Sequence, residues 1–146
     1  MSIGLKISKR SRRVTITAAA WDRRASLAFG KAIVARVVVR AFTRGLGSDD
    51  QPHKPYSKGY LATRLRSGRS GKVDLTWTGA LHRSIRVQAA DARRIVVGMS
   101  GSAARYGTHV NSQRPFMQLS PRDSTFLAKV ARRLMRDALK RARGVS

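Results

Sequence analysis

Cysteine and glutamate are missing altogether from the 146 residues, the only acids are seven aspartates, and aromatic side chains make up just 6%. Without cysteine, neither a disulfide framework nor a thiolate metal site is possible, so packing alone must hold the fold. Without glutamate the chain lacks the commonest general base and a common metal ligand. His53, His82 and His109 have no two-histidine helical spacing and no cysteine or glutamate to complete a zinc set. The few aromatics are not interleaved with the basic runs, which argues against base stacking and for backbone contact with any nucleic acid. Long apolar runs are also missing. No apolar stretch follows Met1, and Ala32 to Val39 is short and broken by Arg36, so neither a signal peptide nor a membrane span is expected. The expectation is a soluble protein made in a cytoplasm.

Positive charge is abundant: 31 lysines and arginines against seven acids give a formal net charge of +24 and an isoelectric point near 12.0. A surface of that kind faces something anionic, most commonly nucleic acid, where neutralising phosphates releases counterions. A 42% hydrophobic content is enough to fold rather than remain a disordered basic tail. The length fits one domain, residues 1–146.

Along the chain, Ile3, Leu5, Ile7, Val14 and Ile16 alternate with polar residues around a basic tip, which predicts a hairpin or extended arm over 1–16. From Thr17 as cap to Gly45 as stop, the proline-free sequence predicts one long helix. Its apolar residues fall along two lines, one through Trp21, Ala25, Ala28, Ala32, Ala35 and Val39, the other through Leu27, Val34, Val38 and Phe42. Such a helix is buried on two sides. Gly30 marks a bend or a close crossing. Residues 45–72 read as a flexible basic loop region carrying Arg64, Arg66 and Arg69. Ser84 to Ala90 and Arg94 to Met99 have the β-branched content of a hairpin, and 101–115 reads as irregular. Ser120, Pro121 and Asp123 form a cap, first helical residue and capping box for a last helix running to about Arg143. One of its faces is apolar. The other carries Lys129, Arg133, Arg136, Lys140 and Arg143. The fold class expected is α+β, with the long N-terminal helix and the C-terminal helix packed on a small antiparallel sheet.

No catalytic pattern emerges, and the chain reads as a building block, not an enzyme. Gly68 to Lys72 resembles the end of a phosphate-binding loop, but the upstream glycine is missing and Val73 stands where a hydroxyl should hold magnesium. Ser84, His82 and Asp91 make a triad only on paper, with no nucleophile elbow. Asp49 and Asp50, with Asp22 and Asp74, read as solvated turns before they read as a cation site. No cofactor and no metal is expected.

Leu75, Thr78-Gly79, Leu81 and Ser84-Ile85, then Val97-Gly98, Tyr106 and His109, then Arg114-Pro115-Phe116, Leu119-Ser120 and Asp123, follow an order and spacing that resemble the bacteriophage virion-morphogenesis, or tail-completion, family of head-to-tail joining proteins. The resemblance covers roughly the C-terminal half. It implies a structural virion protein of the neck, made in the host cytoplasm and forming a ring of identical subunits. That ring would join the tail to the DNA-filled head, beside head-connector and tail-tube or terminator proteins. In such a ring Trp21, Ala28, Ala32, Tyr106, Arg114 and Phe116 are candidate subunit or partner contacts. The cations of the last helix, with Arg64, Arg66 and Arg69, are candidates for facing DNA in the channel or acidic protein. The alternative from charge alone is a basic nucleic-acid-binding protein of the nucleoid or ribosome.

Overall fold

The computed structural model describes residues 13–17 and 21–144. The fold is α+β. Strand β1 (Arg13–Thr17) is followed by helix α1 (Arg23–Val38), whose end continues as a π-helical turn over Val39–Thr43. Then come α2 (Lys58–Arg66), α3 (Ala80–Ser84), β2 (Ile85–Ala90), β3 (Arg94–Met99), α4 (Ala103–Gln113) and α5 (Pro121–Ala142). Among these elements no helix is long and apolar enough to cross a membrane. Residues 1–12 of the expected N-terminal arm lie outside the described residues.

The three strands form an antiparallel sheet in the order β1-β3-β2. β2 and β3 are the expected hairpin. Its turn is tied by Asp91, whose Oδ1 accepts the N–H groups of Arg93 at 2.8 Å and Arg94 at 2.7 Å. Those two bonds hold the Asp91 carboxyl below the ordinary carboxylate range. Ile95, Val97 and Met99 alternate toward one face of the sheet, and α1 lies across that face. Gly30 allows the crossing: a Cβ there would sit 2.8 Å from a methyl of Val87 and 3.1 Å from one of Ile95. α5 packs along α1.

Three expectations need correction. Helix α1 begins one turn and a half later than Thr17, which lies in β1; the cap is Asp22, whose Oδ1 accepts the Ala25 N–H at 2.6 Å. Its buried row is Ala25, Phe29, Ile33 and Val37, spaced by four, and neither line drawn from the sequence contains the last three. The segments read as a basic loop and as an irregular stretch contain helices: Ser57 caps α2 with its hydroxyl, and α4 spans 103–113. Thr78-Gly79 leads into the short helix α3 and then β2, with the Thr78 hydroxyl accepting the Ala80 N–H at 3.3 Å.

The end of α1 and the start of α5 are joined by a buried ionic cluster. In the π turn the Arg44 N–H reaches back five residues to the Val39 carbonyl, and the widened backbone places Arg40, Ala41 and Phe42 in the interior. Arg40 donates from Nη2 to the carbonyls of Phe116 and of Gln118, and its Nη1 lies 2.9 Å from Asp123 Oδ2. Arg36 Nε donates to Asp123 Oδ1 at 2.8 Å. Asp123 and Ser120 also complete the capping box of α5, so one fully buried carboxylate serves two arginines and a helix start. Burial pushes the Arg40 guanidinium below its usual range, and the facing carboxylate opposes that shift.

Candidate aromatic cleft and basic helix face

Two surfaces bring together residues picked out by the sequence. The first is a cleft of about 360 Å³ between α4 and the segment leading into α2, lined by Tyr56, Tyr60, Leu75, Tyr106, His109 and Arg114. It continues past Leu75 and Tyr106 into a second hollow of about 220 Å³ bordered by Trp77, Thr78 and Gly79. Leu75, Thr78-Gly79, Tyr106, His109 and Arg114, separated by up to 39 positions in the chain, thus share one surface. Arg114 pins the cleft wall by donating to the carbonyls of Lys54 at 2.9 Å and Pro55 at 3.0 Å, and its guanidinium lies 5.2 Å from the Tyr56 ring centre.

Tyr56, Tyr60 and Trp77 were not singled out from the sequence, yet they form a continuous aromatic wall. Tyr56 and Tyr60 meet edge to face at 4.9 Å, and Tyr60 lies 5.9 Å from Trp77, whose other neighbour is Arg69, 4.0 Å above the ring. The tyrosines' spacing of four is the one signal that joined them. Burial raises the Tyr56 and Tyr106 hydroxyls above their ordinary pKa, so both stay protonated donors at neutral pH.

Arg64 is the largest correction at this site. Expected on an anion-binding surface, it is buried under the aromatic wall. It donates from Nε to the Ser70 carbonyl at 3.0 Å, from Nη1 to the Thr76 carbonyl at 2.6 Å, and from Nη2 to Asp74 Oδ1 at 3.0 Å, beneath the Tyr56 ring. It folds the 67–77 loop around itself, with all three guanidinium nitrogens engaged inside the protein. Arg66 is exposed.

The second surface is the outer face of α5. Lys129, Arg133, Arg136, Lys140 and Arg143 are exposed at spacings of four and three, which makes one stripe about 21 Å long at 1.5 Å per residue. Among the described residues none of the five is in an ion pair; the four pairs present use Arg36, Arg40, Arg64 and Arg141.

The remaining interface candidates divide. Trp21 and Phe116 are core residues: Trp21 packs edge to face on Phe29 at 4.9 Å and Phe116 on Phe42 at 5.5 Å, so neither is offered to a partner. Ala28 and Ala32 are half-buried on α1. The paper triad dissolves, since Ser84 Oγ donates to the Leu81 carbonyl, Asp91 closes the hairpin turn and His82 packs on Phe42. Among the described residues no group of three or more histidines and aspartates is placed to hold a metal ion. Compared with protein-family models, curated proteins and solved structures, the chain matches none.

Proposed function

We propose that this protein is a structural virion protein of the phage neck, a subunit of a ring that joins the tail to the DNA-filled head and surrounds the DNA channel. The observation that carries this reading is the stripe of unpaired cations on α5. A helix 22 residues long, bound to the body through α1 and cationic along its free side, is a suitable wall element for a conduit that passes DNA without reading its sequence. The clustering of Leu75, Thr78-Gly79, Tyr106, His109 and Arg114 around one cleft supports a shared surface for neighbours rather than scattered loop anchors. In a closed ring each subunit presents two different patches, and the cleft is one of them.

A basic nucleic-acid-binding protein is the second reading, favoured by the same stripe. The native mass separates the two. Purified protein in moderate salt, with and without duplex DNA, is expected to give a defined multiple of the 16.1 kDa chain without DNA. A monomer that shifts only when DNA is added would sink the ring reading. Reversing Arg133, Arg136 and Lys140 to glutamate is expected to abolish head–tail joining or infectivity; for duplex DNA in vitro it should lower the slope of log affinity against log salt by about three.

A further inference from the structure

One side of α1 has no partner within the described residues. Leu27 and Val39 on α1 and its π turn are 41% and 39% exposed, and Phe126 on α5 is 45% exposed. Between them Ala35 stands on a ridge with an apolar groove on either side. One, of about 530 Å³, runs against β2 past Val34, Val38 and Val87. The other, of about 350 Å³, runs against α5 past Ala32 and Val130 to Phe126. From Leu27 to Val39 the ridge is about 18 Å long, the length of about three helical turns. A ridge between two grooves is the relief that a second helix engages with its own side-chain rows.

The border of this face is cationic. Lys31 and Arg86 edge the first groove and Arg133 the second, with no carboxylate among the lining residues of either; Arg36, also on the second, is already paired with Asp123. That charge decides the occupant. A second copy carries the same net charge of +24 and has one aspartate of seven to offer, the half-buried Asp137: Asp22, Asp74 and Asp123 are held by arginines, and Asp49, Asp50 and Asp91 accept backbone N–H groups. We infer that this face binds an amphipathic helix of another protein, one with an apolar stripe flanked by aspartate or glutamate. Apolar contact in the two grooves supplies the affinity, and Lys31, Arg86 and Arg133, which are in no ion pair among the described residues, select the partner by charge and set its direction. The site borders the α5 stripe at Arg133 and is separate from the cleft, and it stands whether or not the protein forms a ring.

The test uses the full-length protein and three synthetic helical peptides of about 18 residues. One has a leucine stripe flanked by glutamate, one the same stripe flanked by lysine, and one the glutamate composition with the leucine positions scrambled. Fluorescence anisotropy in moderate salt is expected to show the first binding at least roughly tenfold more tightly than the other two. Leu27→Asp combined with Val39→Asp should remove that binding while the protein keeps a cooperative thermal transition, both side chains being partly exposed. Lys31→Glu with Arg86→Glu, which leaves every apolar residue in place, should shift preference toward the lysine-flanked peptide. Equal binding of the scrambled peptide, or binding indifferent to both double variants, would overturn the inference. So would a native mass that falls to the monomer on the Leu27 and Val39 substitutions, because the occupant would then be a second copy.

Discussion

Asp123 is the residue on which most depends. Its two carboxylate oxygens accept from Arg36 and from the Ser120 N–H and lie in ion-pair contact with Arg40, and it is fully buried. Asp123→Asn keeps the shape and removes the charge, leaving Arg40 buried without its counterion. The expected loss is about 3–5 kcal/mol, measured by urea unfolding, since breaking a buried pair costs far more than its formation contributes. His53 offers a gentler probe. It is buried, its Nε2 is 3.2 Å from the Ala41 carbonyl, and burial lowers its pKa from the ordinary 6.5. The unfolded chain therefore takes up the proton first as pH falls, so stability is complete above 6.5 and declines as pH drops toward the folded-state value. Thermal melts across that window should show the decline in the wild type and a flatter profile in His53→Gln.

At the scale of elements, Gly30 sets how closely α1 approaches the sheet. Alanine there would gain about 1 kcal/mol of helix propensity. Its Cβ would meet the stiff, β-branched Val87 and Ile95, and overpacking of that kind costs about 1–3 kcal/mol, so a net destabilisation is expected on urea unfolding. Arg64 governs a different element. Arg64→Met should speed hydrogen exchange across 58–77 while leaving α1 and α5 protected, because the guanidinium bonds that close the 67–77 loop are lost. What the sequence disclosed follows the same physics. α5 and the β2–β3 hairpin were legible because their signals are local: a capping box with proline in the first turn, two separated helix faces, and β-branched runs around an aspartate turn. α4 was hidden because its glycine, serine and asparagine are poor helix formers. Packing makes it helical, with Gly107 pressed against Leu81 and Met99 so closely that a Cβ has no room. The row Phe29, Ile33 and Val37 was obscured by apolar residues on every side of α1, which leave the periodicity with no contrast. Arg64 was read as surface charge and Arg40 was not singled out, since nothing in composition distinguishes a buried arginine from an exposed one. For the cleft, the sequence supplied Tyr106 and Arg114 but not Tyr56, Tyr60 and Trp77, which only the folding of the chain brings beside them.

At the scale of the whole molecule, a net charge of +24 on 146 residues makes self-repulsion a standing cost of the compact state. The Debye length shortens from about 30 Å at 0.01 M salt to about 8 Å at 0.15 M. The melting temperature should therefore rise with added sodium chloride over that range in scanning fluorimetry, contrary to a fold held by surface ion pairs. A flat or falling trend would mean that the four ion pairs outweigh the repulsion. The π turn at the end of α1 has a separate bearing on how the chain tolerates change in length. It holds one residue more per turn than the helix before it, and that residue brings Arg40 and Phe42 inward together. Deleting one residue between 39 and 43 would tidy the turn into an ordinary α-helix, and each position after the cut would rotate by about 100°. The local geometry would improve while the arginine turned away from its carboxylate. Chain length in this short stretch is thus fixed by the interior it serves, and the surface loops are where insertions and deletions can be absorbed.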